Sequence, residues 1–162
     1  MPGISVGQHI RAATLNITLD RFLSNDGTTT IPPNGIEQVL TWPIITNLSG
    51  NVALSGSGNT TFTLLRTGLW ILDLSTRTYF NTQPNNLDHF VWIYNRATSV
   101  QYAGQTYQSP VINAPIFNCF TVRQFPAGTV LETRIRNSTE QTCHLGQVAD
   151  LCHFSLTWLQ PY

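Results

Sequence analysis

LWILDLSTRTYF, residues 69–80, is the longest candidate strand in this sequence. Trp70, Leu72 and Leu74 alternate with their neighbours, so these three side chains share one face of an extended chain. A turn, Arg66-Thr67-Gly68, precedes the stretch, and an Asn-rich loop at residues 81–86 follows it. Gly and Asn adopt the backbone angles that end strands. The stretch is therefore predicted to be a β-strand.

The same alternation recurs on both sides of this stretch. Further strands are predicted at residues 11–20, 36–45, 52–54, 60–65, 89–94, 98–103, 116–125, 129–137 and 151–159. Residues 105–115 and 138–150 are predicted loops, and no stretch has a helical period. Eight to ten short antiparallel strands with regular turns are typical of a β-sandwich or barrel. We expect one domain over residues 10–162, preceded by a flexible segment at residues 1–9.

Composition narrows the classes of protein to which this chain could belong. Apolar residues make up 41% of the chain, charged residues 10%, and the net charge is zero. A chain of this kind can bury a core, and it has no long-range field to attract nucleic acid. No apolar run is long enough to span a membrane, and the first residues do not have the pattern of a signal peptide. Synthesis without export and removal of a leader both remain open.

The order of motifs resembles the C1q/TNF superfamily. The segments that carry the resemblance are Gln38-Val39-Leu40, Gly50-Asn51, Thr61-Phe62-Thr63, Gly68-Leu69-Trp70-Ile71-Leu72, Phe90-Val91-Trp92-Ile93-Tyr94-Asn95, Phe120-Thr121-Val122, Ala127-Gly128-Thr129-Val130 and Phe154-Ser155-Leu156-Thr157-Trp158-Leu159. The resemblance implies a jelly-roll β-sandwich that packs as a homotrimer, with apolar and aromatic side chains on the threefold axis.

Aromatic residues are the candidates for that subunit contact. The last strand is rich in large apolar groups: Phe154, Leu156 and Trp158 are on one face, and Leu159 is on the other. A strand buried on one face only would usually be more polar on its second face. Tyr and Trp are favoured at interfaces because a large apolar ring has a polar tip. The predicted trimer interface contains Phe120, Phe154, Leu156, Trp158 and Tyr94.

Candidate sites for chemistry are sparse. Cys143-His144 and Cys152-His153 could in principle hold zinc, but adjacent strand residues point to opposite faces. With Cys119 the chain has three cysteines, which either stay free and buried or include a Cys143–Cys152 disulfide. The few carboxylates show no glycosidase-like pairing, and no nucleophile or phosphate-binding motif occurs. We therefore expect no metal, no cofactor and no enzyme activity.

Three functions fit these observations. The first is a virion component at the particle surface, either a capsid decoration protein or a fibre or spike head, that stabilises the capsid or mediates attachment to a cell-surface receptor or glycan. The second is a secreted, extracellular C1q/TNF-like recognition head. The third is a carbohydrate-binding module in which Tyr102, near the end of a predicted strand, and Tyr107, on a predicted loop, stack on sugars.

Overall fold

The computed structural model describes residues 17–23, 29–82, 87–109, 114–146 and 152–159, and all regular structure in these ranges is β-strand. The predicted flexible segment at residues 1–9 lies outside them. The strands are β1 (Ile17–Leu23), β2 (Thr30–Ile31), β3 (Ile36–Val39), β4 (Ile44–Asn47), β5 (Val52–Ser55), β6 (Thr61–Leu64), β7 (Gly68–Tyr79), β8 (Leu87–Asn95), β9 (Val100–Ser109), β10 (Ile116–Phe125), β11 (Val130–Asn137), β12 (Cys143–Leu145) and β13 (His153–Leu159). Within the described ranges, no helix has the length and hydropathy to cross a bilayer.

The strands form two sheets packed face to face. The first sheet has seven strands in the order β2-β12-β7-β13-β1-β4, with β10 on the other edge of β7. The second sheet has six strands in the order β5-β6-β11-β8-β9, with β3 also paired to β11. Neighbouring strands run antiparallel throughout. The predicted all-β sandwich is confirmed.

Strand β7 is the centre of the first sheet. It pairs with β10 from Gly68 to Arg77 along one edge. Along its other edge it pairs first with β13 and then, at Thr78 and Tyr79, with β12. Both edges of the longest strand are thus hydrogen-bonded, which fixes the direction of every side chain along it.

Aromatic rings fill the space between the sheets. Phe62 lies 4.8 Å from Phe22 and 4.9 Å from Phe154, measured between ring centroids. The indole N–H of Trp42 donates a 2.8 Å hydrogen bond to the hydroxyl of Thr133, and both side chains are buried. This bond satisfies a polar group that would otherwise be unpaired in the core.

The structure differs from the predicted strands in three places. The predicted strand at residues 36–45 is two strands, β3 and β4, with Pro43 between them. Residues 105–109 extend β9 because they pair with β8, although they were predicted as loop. The predicted loop at residues 138–150 contains the short strand β12. Long-range pairing outweighs weak local β-propensity in the last two cases.

Replacing Thr133 with Val should lower the free energy of unfolding by about 1–3 kcal/mol, because the Trp42 N–H loses its buried acceptor. Urea unfolding of Thr133→Val would measure the change. Thr63→Val is the matched control, since Thr63 is only half-buried in the same sheet. Equal stability of Thr133→Val and the wild type would contradict the assigned role of this hydrogen bond.

Candidate functional site

The outward face of the first sheet carries a row of apolar side chains. The strand register aligns Leu19 on β1, Thr157 on β13, Ile71 on β7 and Val122 on β10 as successive cross-strand neighbours. Residues opposite each other in a sheet have their side chains on the same face. This row therefore crosses four strands on the side that points away from the second sheet.

The apolar surface continues into the rows on either side. Leu159 and Leu69 are partners in one adjacent row, and Phe120 is opposite Asp73 in the other. The exposed fraction is 41% for Leu19, 46% for Val122 and 62% for Phe120. We call these six side chains the apolar face: Leu19, Leu69, Ile71, Phe120, Val122 and Leu159.

Strand β1 turns Leu19 outward because its polar neighbour is held inside. Asp20 is fully buried, and its carboxylate accepts a 2.8 Å hydrogen bond from the Ser49 hydroxyl and another from the Ser49 N–H. Next to it, the amide of Asn51 donates a 2.7 Å hydrogen bond to the Thr18 hydroxyl. These bonds compensate for burying polar groups at this end of the sandwich.

Polar residues border the apolar face. Asn118 and Gln124 are exposed on β10, on the same side of the strand as Phe120. His153 Nε2 lies 3.2 Å from a carboxylate oxygen of Asp73, close to Ser155. An apolar centre with a polar rim is the usual anatomy of a protein–protein contact.

The predicted interface residues lie in different places. Phe120 is on the apolar face, and its role in a trimer stays a prediction. Phe154 and Leu156 are fully buried in the sandwich core, so the prediction that they meet another subunit is wrong. Trp158 shares their inward side of β13, half-buried beside Arg66. Tyr94 is on the second sheet, beneath the guanidinium of Arg134 at 4.1 Å.

The predicted ligand-binding tyrosines lie on a strand. Tyr102 and Tyr107 both belong to β9, which corrects the assignment of Tyr107 to a loop. The hydroxyl of Tyr102 accepts a 2.6 Å hydrogen bond from Asn95, and its ring lies 4.9 Å from that of Phe125. Tyr102 therefore helps to close one edge of the core. The side chain of Tyr107 lies outside the described part of the chain.

The cysteine and histidine pairs do not converge on one point. Cys143 points into the core, whereas His144 stacks on Tyr79 with ring centroids 5.2 Å apart. Cys152 Sγ accepts a 3.2 Å hydrogen bond from the Arg77 N–H. Among the described residues, no group of three or more metal-ligating side chains is close enough to hold an ion. All three cysteines are free and buried.

Sequence reasoning missed one buried contact, between His89 and Cys143. The thiol sulfur lies 3.5 Å from His89 Nε2, and Thr78 is near the other ring nitrogen. Burial lowers the pKa of His89 to about 4, against opposing effects of Asn137 and Asp88. Burial also raises the pKa of the Cys143 thiol to about 12. Both groups are therefore neutral at pH 7, and a neutral thiol is a poor nucleophile.

Comparison with known proteins identifies the fold. No protein-family model matches this sequence, and no curated protein is detectably similar to it. The chain is similar in structure to murine APRIL. The match to that crystal structure, determined at pH 5.0, has a TM-score of 0.57 at 10% identity and covers 88% of this chain and 100% of that chain. The fold is a TNF-like jelly roll, as the sequence resemblance implied.

Lowering the pH should reduce the free energy of unfolding, because His89 is buried in its neutral form. Below about pH 6.5 the unfolded chain binds a proton at this position, whereas the folded chain does so only near pH 4. The contribution of His89 to the free energy of unfolding should therefore fall by roughly 3 kcal/mol as the pH drops through that window.

Urea unfolding between pH 4 and pH 7 would measure this effect. His89→Gln should remove this part of the acid destabilisation, so the stability gap between variant and wild type narrows as the pH falls. His144→Gln, the control, should keep the wild-type pH profile. A constant gap for His89→Gln over the whole range would show that His89 does not titrate differently in the folded chain.

Proposed function

We propose that this chain is a non-enzymatic module that assembles into a homotrimer through the apolar face and serves at the surface of a virion. The observation that carries the proposal is the exposure of Phe120, 62% of whose surface is open on the outward side of the first sheet, next to the row that contains Val122 and Ile71. Exposed apolar side chains that adjoin on one sheet face and have polar neighbours are typical of a protein–protein contact.

The dimensions of the apolar face suit the centre of a contact. Four strands and three rows correspond to roughly 14 Å in each direction. A stable interface covers about 800 Å² per partner, so the contact would extend over the polar rim around Asn118 and Gln124. The strand spacing, the low charge and the TNF-like fold support the proposal that two further copies of this chain cover the apolar face.

Support for a non-enzymatic role comes from the same chemistry. His89 and Cys143 bring an imidazole and a thiol together in the core, and burial holds both groups in their neutral forms. A catalytic cysteine needs the opposite environment, which favours the thiolate. The two groups instead stabilise the core, where His89 also stacks on Phe80.

The virion assignment rests on composition together with assembly. A neutral chain with 10% charged residues has a surface built mainly from neutral polar side chains, which suits an extracellular particle. A trimer bound at a threefold position of a capsid, or at the tip of a fibre, would gain affinity by repeating weak contacts. The TNF-like fold supports, as a second candidate, a secreted recognition head.

Light scattering of the purified chain tests the assembly. We expect a mass three times the 18.1 kDa of one chain at micromolar concentration. Phe120→Asp should yield a folded monomer, because it places a charge at the most exposed side chain of the apolar face. Ile36→Asp is the matched control: Ile36 is 56% exposed on the second sheet, and its replacement should leave the mass unchanged. A wild-type mass of 18.1 kDa would overturn the proposal.

Immunogold labelling of material from the native source tests the location. Label on the surface of purified particles would support the virion role. Label only in the particle-free secreted fraction would favour the recognition head.

A further inference from the structure

A groove of about 360 Å³ crosses the outward face of the second sheet. Its residues come from β8, from its neighbours β9 and β11, from β3 and from the turn between β8 and β9: Glu37, Phe90, Trp92, Tyr94, Ser99, Gln101, Arg134 and Arg136. The volume lies within the roughly 300–1,000 Å³ of small-molecule sites. This face and the apolar face are on opposite sides of the sandwich. Contact between subunits through the apolar face would therefore not involve the groove, and one chain supplies all of its residues.

Aromatic side chains form the floor of the groove. Phe90, Trp92 and Tyr94 alternate along β8, and the Phe90 and Trp92 rings have centroids 4.7 Å apart. Gly104 on β9 is the cross-strand partner of Trp92. A Cβ at position 104 would lie 3.1 Å from the Phe90 ring and 3.2 Å from Trp92 Cβ, so glycine leaves room for these rings.

Most of the charges around the groove neutralise one another. Arg134 lies 2.8 Å from Glu132 and 3.4 Å from Glu37, and Arg96 lies 3.4 Å from Glu132. Two arginines and two glutamates thus form one network with no net charge. An ion-pair network of this kind fixes the position of the Arg134 guanidinium over the Tyr94 ring.

Arg136 is the exception. Its guanidinium lies 5.9 Å from the centre of the Phe90 ring, and no carboxylate of the described residues pairs with it. Its Nε is buried and has no hydrogen-bond partner. An anionic ligand in the groove would pair with the terminal nitrogens of the guanidinium, because the buried Nε is out of its reach. The groove therefore offers one uncompensated positive charge next to an aromatic surface.

We propose that this groove binds a carboxylated sugar unit of a glycan. The apolar face of the sugar ring would lie against the half-buried ring of Phe90, beside the buried Trp92, and its carboxylate would pair with the guanidinium of Arg136. Ser99 and Gln101 supply hydrogen-bonding groups for sugar hydroxyls at the open end of the groove. Glu37 accepts hydrogen bonds from hydroxyl groups and repels a dianion, which favours a carboxylate over a phosphate or a densely sulfated chain.

Saturation-transfer NMR with two free sugars tests the ligand class. The probes are glucuronic acid and N-acetylneuraminic acid, each compared with its own methyl ester, which keeps the ring and removes the charge. We expect saturable binding of at least one acid. Its methyl ester should bind more weakly than the acid by about tenfold or more. No saturable binding of either acid, or equal binding of acid and ester, would overturn the proposal.

Two arginine variants locate the binding site. Arg136→Gln should weaken binding of the acid by about tenfold or more, and Arg136→Lys should restore part of it, because the charge returns. Arg123→Gln is the matched control: Arg123 is exposed on β10 of the first sheet, near the Tyr102 ring. Unchanged binding by a folded Arg136→Gln, or an equal loss in Arg123→Gln, would place the site elsewhere.

Two further measurements test the details of the proposal. The first distinguishes a carboxylate site from a sulfate site, and the second distinguishes a site within one chain from a site shared between chains. A sulfated oligosaccharide that binds while both carboxylated sugars fail would overturn the carboxylate assignment. Phe120→Asp should retain the affinity per chain, since the groove does not use the apolar face. Loss of binding in a folded, monomeric Phe120→Asp would contradict a groove that is complete in one chain.

Discussion

Strand β7 is hydrogen-bonded along both edges, and between Leu69 and Leu72 it is apolar on both faces; the rest of the structure depends on this combination. With β10 on one side and β13 on the other, β7 cannot rotate to bury both faces in one core. Trp70, Leu72 and Leu74 are therefore covered by the second sheet, whereas Leu69 and Ile71 remain on the outside. The hydrophobic effect favours a second protein surface over that outer side.

The two sheets have different outward faces, and this difference separates the two roles that we propose. The first sheet is apolar around Ile71 and Val122, which suits contact with another copy of the chain. The second sheet has rings and charged groups that alternate across β8 and β11, which suits a polar ligand with one apolar side. A single sandwich can thus assemble through one face and bind through the other without competition between them.

The sequence predicted the long strands well, because their alternating pattern is local. β10 lies where it was predicted, β7 differs from its predicted range by one residue at each end, and β11 begins one residue later than predicted. The strand at residues 105–109 was missed because it has no alternation of apolar and polar residues and is held by β8. The contact between His89 and Cys143 was missed for a related reason, since it joins residues far apart in the chain.

The sequence by itself determined the sandwich class, the alternation on each long strand and the sets of residues that share a face. Only the tertiary structure decided which face turns inward: Phe154 and Leu156 are in the core, and Thr157 and Leu159 are on the other side of the same strand. It also decided that Arg136, Phe90 and Gly104 meet in one groove. The physical reason is that a period of two separates two faces but does not orient them. Their orientation depends on which strands pair and on what packs against them.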